Sequence, residues 1–210
     1  MATYETTATS VLAPPLLRTR LLALLIDYLM ILSWMALLAL ASLAVYLIRG
    51  SLPDYLGVLG PYGAQAAAFG ALTLPVLIYH VVTEAGRRHA TWGKRRLGLT
   101  VRDVDGGVPL LRQTLLRTVI KFLPWEAALF FIWQIQWRLS RPDGDGSVPW
   151  WLSAGLAVTG IAPLAYVACV ARTRLHRGPH DLLAGTRVTT ASPPPGNRAV
   201  AAPLAAENLQ

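Results

Sequence analysis

The sequence predicts an all-α polytopic membrane protein with four transmembrane helices and a small cytoplasmic β element, and three observations carry that prediction. Four long apolar runs occupy about 21–48, 64–82, 119–137 and 150–171. Of the 210 residues 54% are hydrophobic and only 14% charged, whereas a soluble domain carries about a quarter charged residues. The basic residues are also unevenly placed: fifteen Lys and Arg fall in the N-terminal segment, the 84–118 connection and the C-terminal segment, against Arg49, Arg138 and Arg141 in the other two connections. Such an asymmetry predicts cytoplasmic termini, and the chain is expected to reside in a bacterial plasma membrane. The net charge of +8 is therefore a topology signal, and no nucleic-acid partner is expected.

Residues 1–19 are polar and rich in Thr, Ala and Pro, with no apolar core, and are expected to form a disordered arm before a transmembrane domain over 20–190. The first run, 28 residues with Asp27 as its one charge, is far longer than the apolar centre of a secretory signal. It predicts a spanning helix that tilts or extends past the bilayer. Arg20 and Asp27 lie seven residues apart, hence on one helical face but about 10 Å apart along the axis. That is too far for a simple ion pair, so each needs a partner from elsewhere in the chain. A carboxylate beyond the interface costs on the order of 3 kcal/mol. Asp27 can be read as a shallow residue that fixes helix depth, as a static clamp between helices, or as a functional group.

Residues 49–63 collect Gly50, Pro53, Gly57, Gly60, Pro61 and Gly63, which predicts a loop. In the second run Gly63, Ala67 and Ala71 recur every four residues and predict a close helix contact, and Pro75 predicts a kink. The 84–118 connection holds eight basic residues and must lie outside hydrocarbon. Within it Leu97 to Val104 alternates as a strand does, and Asp105-Gly106-Gly107 is a turn signal. The third run is the most polar, with Lys121, Glu126, Gln134 and Gln136 among its tryptophans, so its polar groups should face protein. Pro142 to Gly146 predicts a turn. The fourth run opens on Trp150-Trp151, suited to a membrane interface, and contains Pro163. A strand is predicted at Thr186–Thr190, and 191–210, with Pro193-Pro194-Pro195, should be disordered.

Several catalytic readings fail on spacing. Gly86 precedes Gly93-Lys94 by seven residues where a phosphate loop needs five, and Arg95 stands where Ser or Thr would meet magnesium. A calcium loop counted from Asp143 meets Ala154 at its twelfth position, where a bidentate Glu is required. Asp181 falls well outside the fourth run, so it cannot pair with Asp27 for intramembrane proteolysis. Gly178 and Pro179 interrupt His176 and His180, which argues against a helical metal pair. Cys169 is the one cysteine, which excludes an internal disulfide. No enzyme activity, cofactor or metal is expected.

Arg20 with Asp27, the segment Thr91-Trp92-Gly93-Lys94-Arg95-Arg96-Leu97-Gly98-Leu99 followed by Asp105-Gly106-Gly107, and then His180-Asp181-Leu182-Leu183-Ala184-Gly185-Thr186 together resemble the RDD family of small integral membrane proteins. The family is named for an arginine and two aspartates, which the resemblance places at Arg20, Asp27 and Asp181. The family pattern has Pro or a small apolar residue where this chain has Trp92, and a further apolar run here separates the central loop from the His-Asp segment. The resemblance implies a transport association without a defined reaction.

The expected polar site comprises Arg20, Asp27, Asp181, His180, Lys121 and Arg117, with Asp27 meeting Lys121 or Arg117 and the first and third spans adjacent. The basic motif Gly93, Lys94, Arg95 and Arg96 belongs to the cytoplasmic face. Two functional expectations follow: a proton- or cation-linked transport activity around that site, or a membrane scaffold or accessory subunit that uses the Arg/Asp residues as a structural clamp. Membrane lipids, including acidic headgroups near Arg87 to Arg96, and a second copy of the chain are the expected partners.

Overall fold

The computed structural model describes residues 15–141 and 146–190. The N-terminal arm up to residue 14, the turn at 142–145 and the tail from 191 lie outside the described residues. Helix α1 spans Leu17–Arg49, so it begins within the segment expected to be an arm, and it stops at Gly50, whose left-handed φ of 73° lets its amide return to the Tyr46 carbonyl. A helix of 33 residues is about 50 Å long, more than enough to cross hydrocarbon.

The loop expected over 49–63 is much shorter. Helix α2, Tyr55–Ala68, begins with the Asp54 carboxylate accepting from the Gly57 amide at 2.8 Å, and it kinks where Gly60 takes φ 66° before Pro61. Glycine and proline break helices in water, but a membrane helix tolerates them where its neighbours serve the freed backbone groups. A π-helical turn, Phe69–Thr73, joins α2 to α3, Leu74–Ala85. The small residues buried in α2 are Ala64 and Ala68, whereas Ala67 and Ala71 are exposed. The contact face is thus turned one residue from the one expected.

Helix α4, Trp92–Arg96, and strand β1, Leu99–Asp103, follow. Leu97 and Gly98 turn the chain between them, with Gly98 at φ 64°, so the strand starts two residues later than its alternation suggested. Helix α5 covers Leu111–Ser140, α6 Trp150–Arg172, α7 Pro179–Leu183, and β2 Thr186–Thr190. The strands pair antiparallel in the register Leu99 to Thr190, Val101 to Val188 and Asp103 to Thr186. Leu99 and Val188 pack with Ala23 of α1 in a small core, so the sheet closes one end of the helices.

Three stretches among the described residues, Leu17–Arg49, Tyr55–Ala85 and Trp150–Arg172, are long and apolar enough to cross a membrane. Helix α5 has the length but is too polar to qualify on composition, so the expected count of four is met only in part. Contrary to expectation, the first and third spans do not pack along one another. Helix α5 packs along α2, α3 and α6, while α1 packs chiefly on α4. A cavity of about 740 Å³ separates α1 from α3, α5 and α6.

Two prolines show how the bundle satisfies its backbone. Proline has no amide to offer the carbonyl four residues back. For Pro75 that carbonyl is Ala71, which accepts from the Trp34 indole of α1 at 2.9 Å. For Pro124 it is Ile120, which accepts from the Tyr166 hydroxyl of α6 at 2.8 Å. Each proline thereby becomes a point of attachment between helices. Tyr166→Phe is expected to cost about 1 kcal/mol in the wild-type chain and close to nothing in a Pro124→Ala background, where position 124 regains its own amide. Denaturant titration of the two single variants and the double variant in detergent measures this coupling.

Candidate functional site

Five elements bring ionisable side chains to one end of the bundle. Helix α1 contributes Arg20 and Asp27 on one face. The last turns of α3 present His80 and Glu84, four residues apart. Helix α4 adds Lys94, α5 adds Arg117 and Lys121 one turn apart, and α7 adds His180 and Asp181.

Asp181 is fully buried and joins two arginines from different helices. Its Oδ2 accepts from Arg20 Nη2 at 2.9 Å and its Oδ1 from Arg117 Nε at 2.7 Å. The Gly178 amide and the Thr186 hydroxyl complete its shell, each at 3.3 Å. Arg117 continues through Nη1 to Glu84, and Lys94 Nζ binds the other Glu84 oxygen. The result is an alternating chain, Arg20, Asp181, Arg117, Glu84, Lys94, in which every charge touches an opposite one. Burial alone would raise the Asp181 carboxyl, but the Arg117 guanidinium holds it well below the usual carboxylate range. Burial, and then the nearby Arg117 charge, push the Lys94 ammonium down, while Glu84 draws it back. Burial also pushes the His180 imidazole down to about 3, so that ring is neutral and its 3.6 Å approach to Asp181 is not an ion pair. His180 instead stacks on Tyr166, with ring centroids 5.8 Å apart.

Asp27 meets neither Lys121 nor Arg117. It is buried, and its two oxygens accept from the Thr91 hydroxyl at 2.5 Å and the Gly93 amide at 2.8 Å. The carboxylate therefore sits at the start of α4, where unpaired amides and the helix dipole favour a negative charge. Arg117 is drawn instead to the two carboxylates of Glu84 and Asp181. Lys121 Nζ lies 3.4 Å from both ring nitrogens of His80, with no carboxylate within ion-pair distance among the described residues.

The basic motif divides by role. Gly93 lies against α1, Lys94 binds Glu84, Arg96 covers the Trp92 ring at 5.0 Å, and Arg95 is exposed. Trp92, the departure from the family pattern, donates its backbone amide to the Tyr79 hydroxyl at 2.9 Å, so the larger side chain leaves the turn intact.

Glu84 falls outside the second span expected to close at residue 82, and His80 lies within that span without being singled out as a polar-site residue. Thr73, His80 and Glu84 stand seven and four apart, one helical stripe, and all three are buried; that spacing was the available signal. Glu126 is held deeper in the bundle by Gln65 Nε2 at 2.8 Å and by the Thr73 hydroxyl, which itself accepts from the Trp125 indole at 3.2 Å. Among the described residues no group of three His, Cys, Asp or Glu side chains is placed to hold a metal ion.

A polytopic membrane protein whose connecting segments fold onto buried charges of its helices is the class that this arrangement defines. The family model of the RDD family matches residues 14–185, and the chain belongs to that family. No curated protein and no solved structure matches it.

Gly93 supplies the sharpest test of the α1–α4 junction. A Cβ there would fall 2.2 Å from the Ala23 carbonyl and 2.9 Å from Asp27 Oδ1. Alanine favours a helix over glycine by about 1 kcal/mol, but a clash with backbone outweighs that. Gly93→Ala is expected to destabilise the protein by about 2–4 kcal/mol, read as a lowered thermal midpoint in detergent.

Proposed function

We propose that the chain is a four-span integral membrane protein in which the Arg/Asp residues form a structural clamp, while Lys121 and Glu126 carry a proton- or cation-responsive, transport-associated activity. The four-span count draws support from the α5–α6 pair. Tyr166 reaches Ile120 near one end, and Phe131 packs on Gly155 towards the other, so a membrane crossed by α6 is crossed by α5 beside it. Four crossings place α4, the sheet and both termini on one side, the basic and hence cytoplasmic side.

The observation that carries the functional reading is the distribution of partners. Along Arg20, Asp181, Arg117, Glu84 and Lys94 every charge is matched, and Asp27 is committed to the Thr91 hydroxyl and the Gly93 amide at the start of α4. Lys121 lines the cavity beside His80 with no carboxylate within ion-pair distance among the described residues, although Arg20, Asp27, Lys94 and Arg117 also border that cavity, and Glu126 is held by the uncharged donors of Gln65 and Thr73. Ionisable groups within a membrane segment are expensive, and those without an opposite charge are the ones free to exchange a proton or meet an ion. The cavity walls around Lys121 also include the apolar side chains of Leu24, Ile31, Val76, Phe122 and Trp125.

In proteoliposomes containing a trapped pH-sensitive dye, the wild-type chain is expected to couple proton movement to an imposed monovalent-cation gradient. Glu126→Gln and Lys121→Gln should each abolish the coupling without lowering the yield of folded protein. Asp27→Asn, which keeps an acceptor for α4, should retain it. Wild-type vesicles indistinguishable from empty ones would contradict the transport reading and favour the scaffold, whose supporting observation is that Arg20, Asp27 and Asp181 are all fully engaged within the protein.

A further inference from the structure

The face of the two-stranded sheet turned away from α1 carries a concentration of positive charge that the clamp does not use. Strand alternation puts Leu99, Val101 and Val188 on the face that packs towards Ala23, so Thr100, Arg102, Arg187 and Thr189 share the opposite face. Arg102 and Arg187 are direct cross-strand partners, and like charges directly opposite one another are destabilising. Their Nε atoms are both buried without a hydrogen-bond partner, and so is the hydroxyl of Thr189, a residue only 1% exposed. Three unused polar atoms on one small face call for an explanation.

The connection from α3 to α4 extends this face into a pocket of about 320 Å³, lined by Arg87, Arg88, His89, Arg95, Thr100 and Arg102 among others. His89 adopts a left-handed φ of 46°, uncommon for a residue with a side chain. That turn sets its carbonyl against β1, where it accepts from the Val101 amide at 2.7 Å, and so holds Arg87 and Arg88 beside the strand. None of Arg87, Arg88, Arg95 and Arg102 has a carboxylate within ion-pair distance among the described residues, and no acidic side chain lines the pocket.

We propose that this pocket binds a phosphate-bearing anion, either the headgroup of an acidic phospholipid or a soluble phosphoester. Four guanidinium groups around one small cavity exceed what a single carboxylate neutralises. A phosphate monoester carries about −1.5 to −2 at neutral pH and three acceptor oxygens, and the planar guanidinium fork matches that geometry. Of the cross-strand pair only Arg102 lines the pocket; a phosphate bound there would offset its charge, ease its repulsion of Arg187 and give donors of the pocket an acceptor. The site lies at the end of the helices that holds the clamp, the level at which headgroups meet the protein, and its occupancy does not depend on any transport activity.

The full chain in a neutral detergent tests this by thermal unfolding, with pyrophosphate as the soluble probe and dioctanoyl phosphatidic acid as the lipid probe. Dioctanoyl phosphatidylcholine and sodium chloride of matched ionic strength serve as controls. At least one phosphate probe is expected to raise the midpoint saturably beyond its control, and Arg102→Gln should weaken that probe about tenfold. Because it removes a like-charge pair, Arg102→Gln without probe should unfold at or above the wild-type midpoint, which separates lost binding from lost folding. Arg87→Gln with Arg88→Gln should weaken the same probe while leaving the sheet's own stability unchanged. A response to phosphatidic acid alone identifies a headgroup site, and a response to pyrophosphate identifies a site open to soluble phosphoesters. Shifts reproduced by sodium chloride, no shift with either probe, or equal shifts in wild type and both variants would overturn the proposal.

Discussion

The Asp181 carboxylate, buried between Arg20 and Arg117, is the interaction on which the rest of the structure depends. Taking a carboxylate out of water costs several kcal/mol unless it is paired and hydrogen-bonded. Asp181 is fully buried, and each of its oxygens meets a guanidinium at 2.7–2.9 Å. Because the arginines come from α1 and α5 and the aspartate from α7, folding of the segments that carry α4, α7 and the sheet and assembly of the long helices become one event. Arg117 passes the constraint to Glu84 on α3, and Glu84 passes it to Lys94 on α4. Removing Asp181 leaves Arg20 without an opposite charge and removing Glu84 leaves Lys94 without one, and breaking a buried pair in this way costs about 3–5 kcal/mol. Such a chain need not add net stability over an apolar core. It selects a single arrangement of five elements.

Asp27 performs the second attachment by different means. It binds a hydroxyl and a backbone amide at the start of α4, and Gly93 is required there because any side chain would enter the space of the Ala23 carbonyl. Arg20 and Asp27 thus divide the work along one face of α1: the first holds α7, the second holds α4, and the sheet between them covers Ala23. Arg20, Asp27 and Asp181 all act at this junction. The prolines repeat the pattern deeper in the membrane, where Trp34 and Tyr166 take up the carbonyls that Pro75 and Pro124 leave free.

Much of this was legible in the sequence. The helices announce themselves as apolar runs, and the two strands expected at Leu97 to Val104 and at Thr186–Thr190 are the ones that pair at the end of the bundle. The need of Arg20 and Asp27 for separate partners followed from their 10 Å separation. What was not legible has physical reasons. A charge was sought for Asp27, yet two neutral donors at a helix start suffice, and nothing in composition distinguishes the two solutions. The loop over 49–63 was overdrawn because helix-breaking rules calibrated in water weaken where neighbouring helices satisfy the backbone. Glu84 was assigned to the connection because a charge at the edge of an apolar run ordinarily marks its end; only the stripe Thr73, His80, Glu84 betrays the inward face. The low apolarity of α5 reflects how much of its surface meets other helices, since Arg117, Lys121 and Glu126 point to α7, α3 and α2.

Hydrogen exchange of the Asp181→Asn variant tests the central claim most directly. Asparagine keeps the size and loses the charge, so Arg20 and Arg117 are left without their shared counter-ion. The account predicts that amides of α4, β1 and β2 lose protection together, while amides of the α5–α6 pair keep theirs. Unchanged protection of β1 and β2 in that variant would contradict the account, because the clamp would then contribute nothing to holding the sheet against the helices.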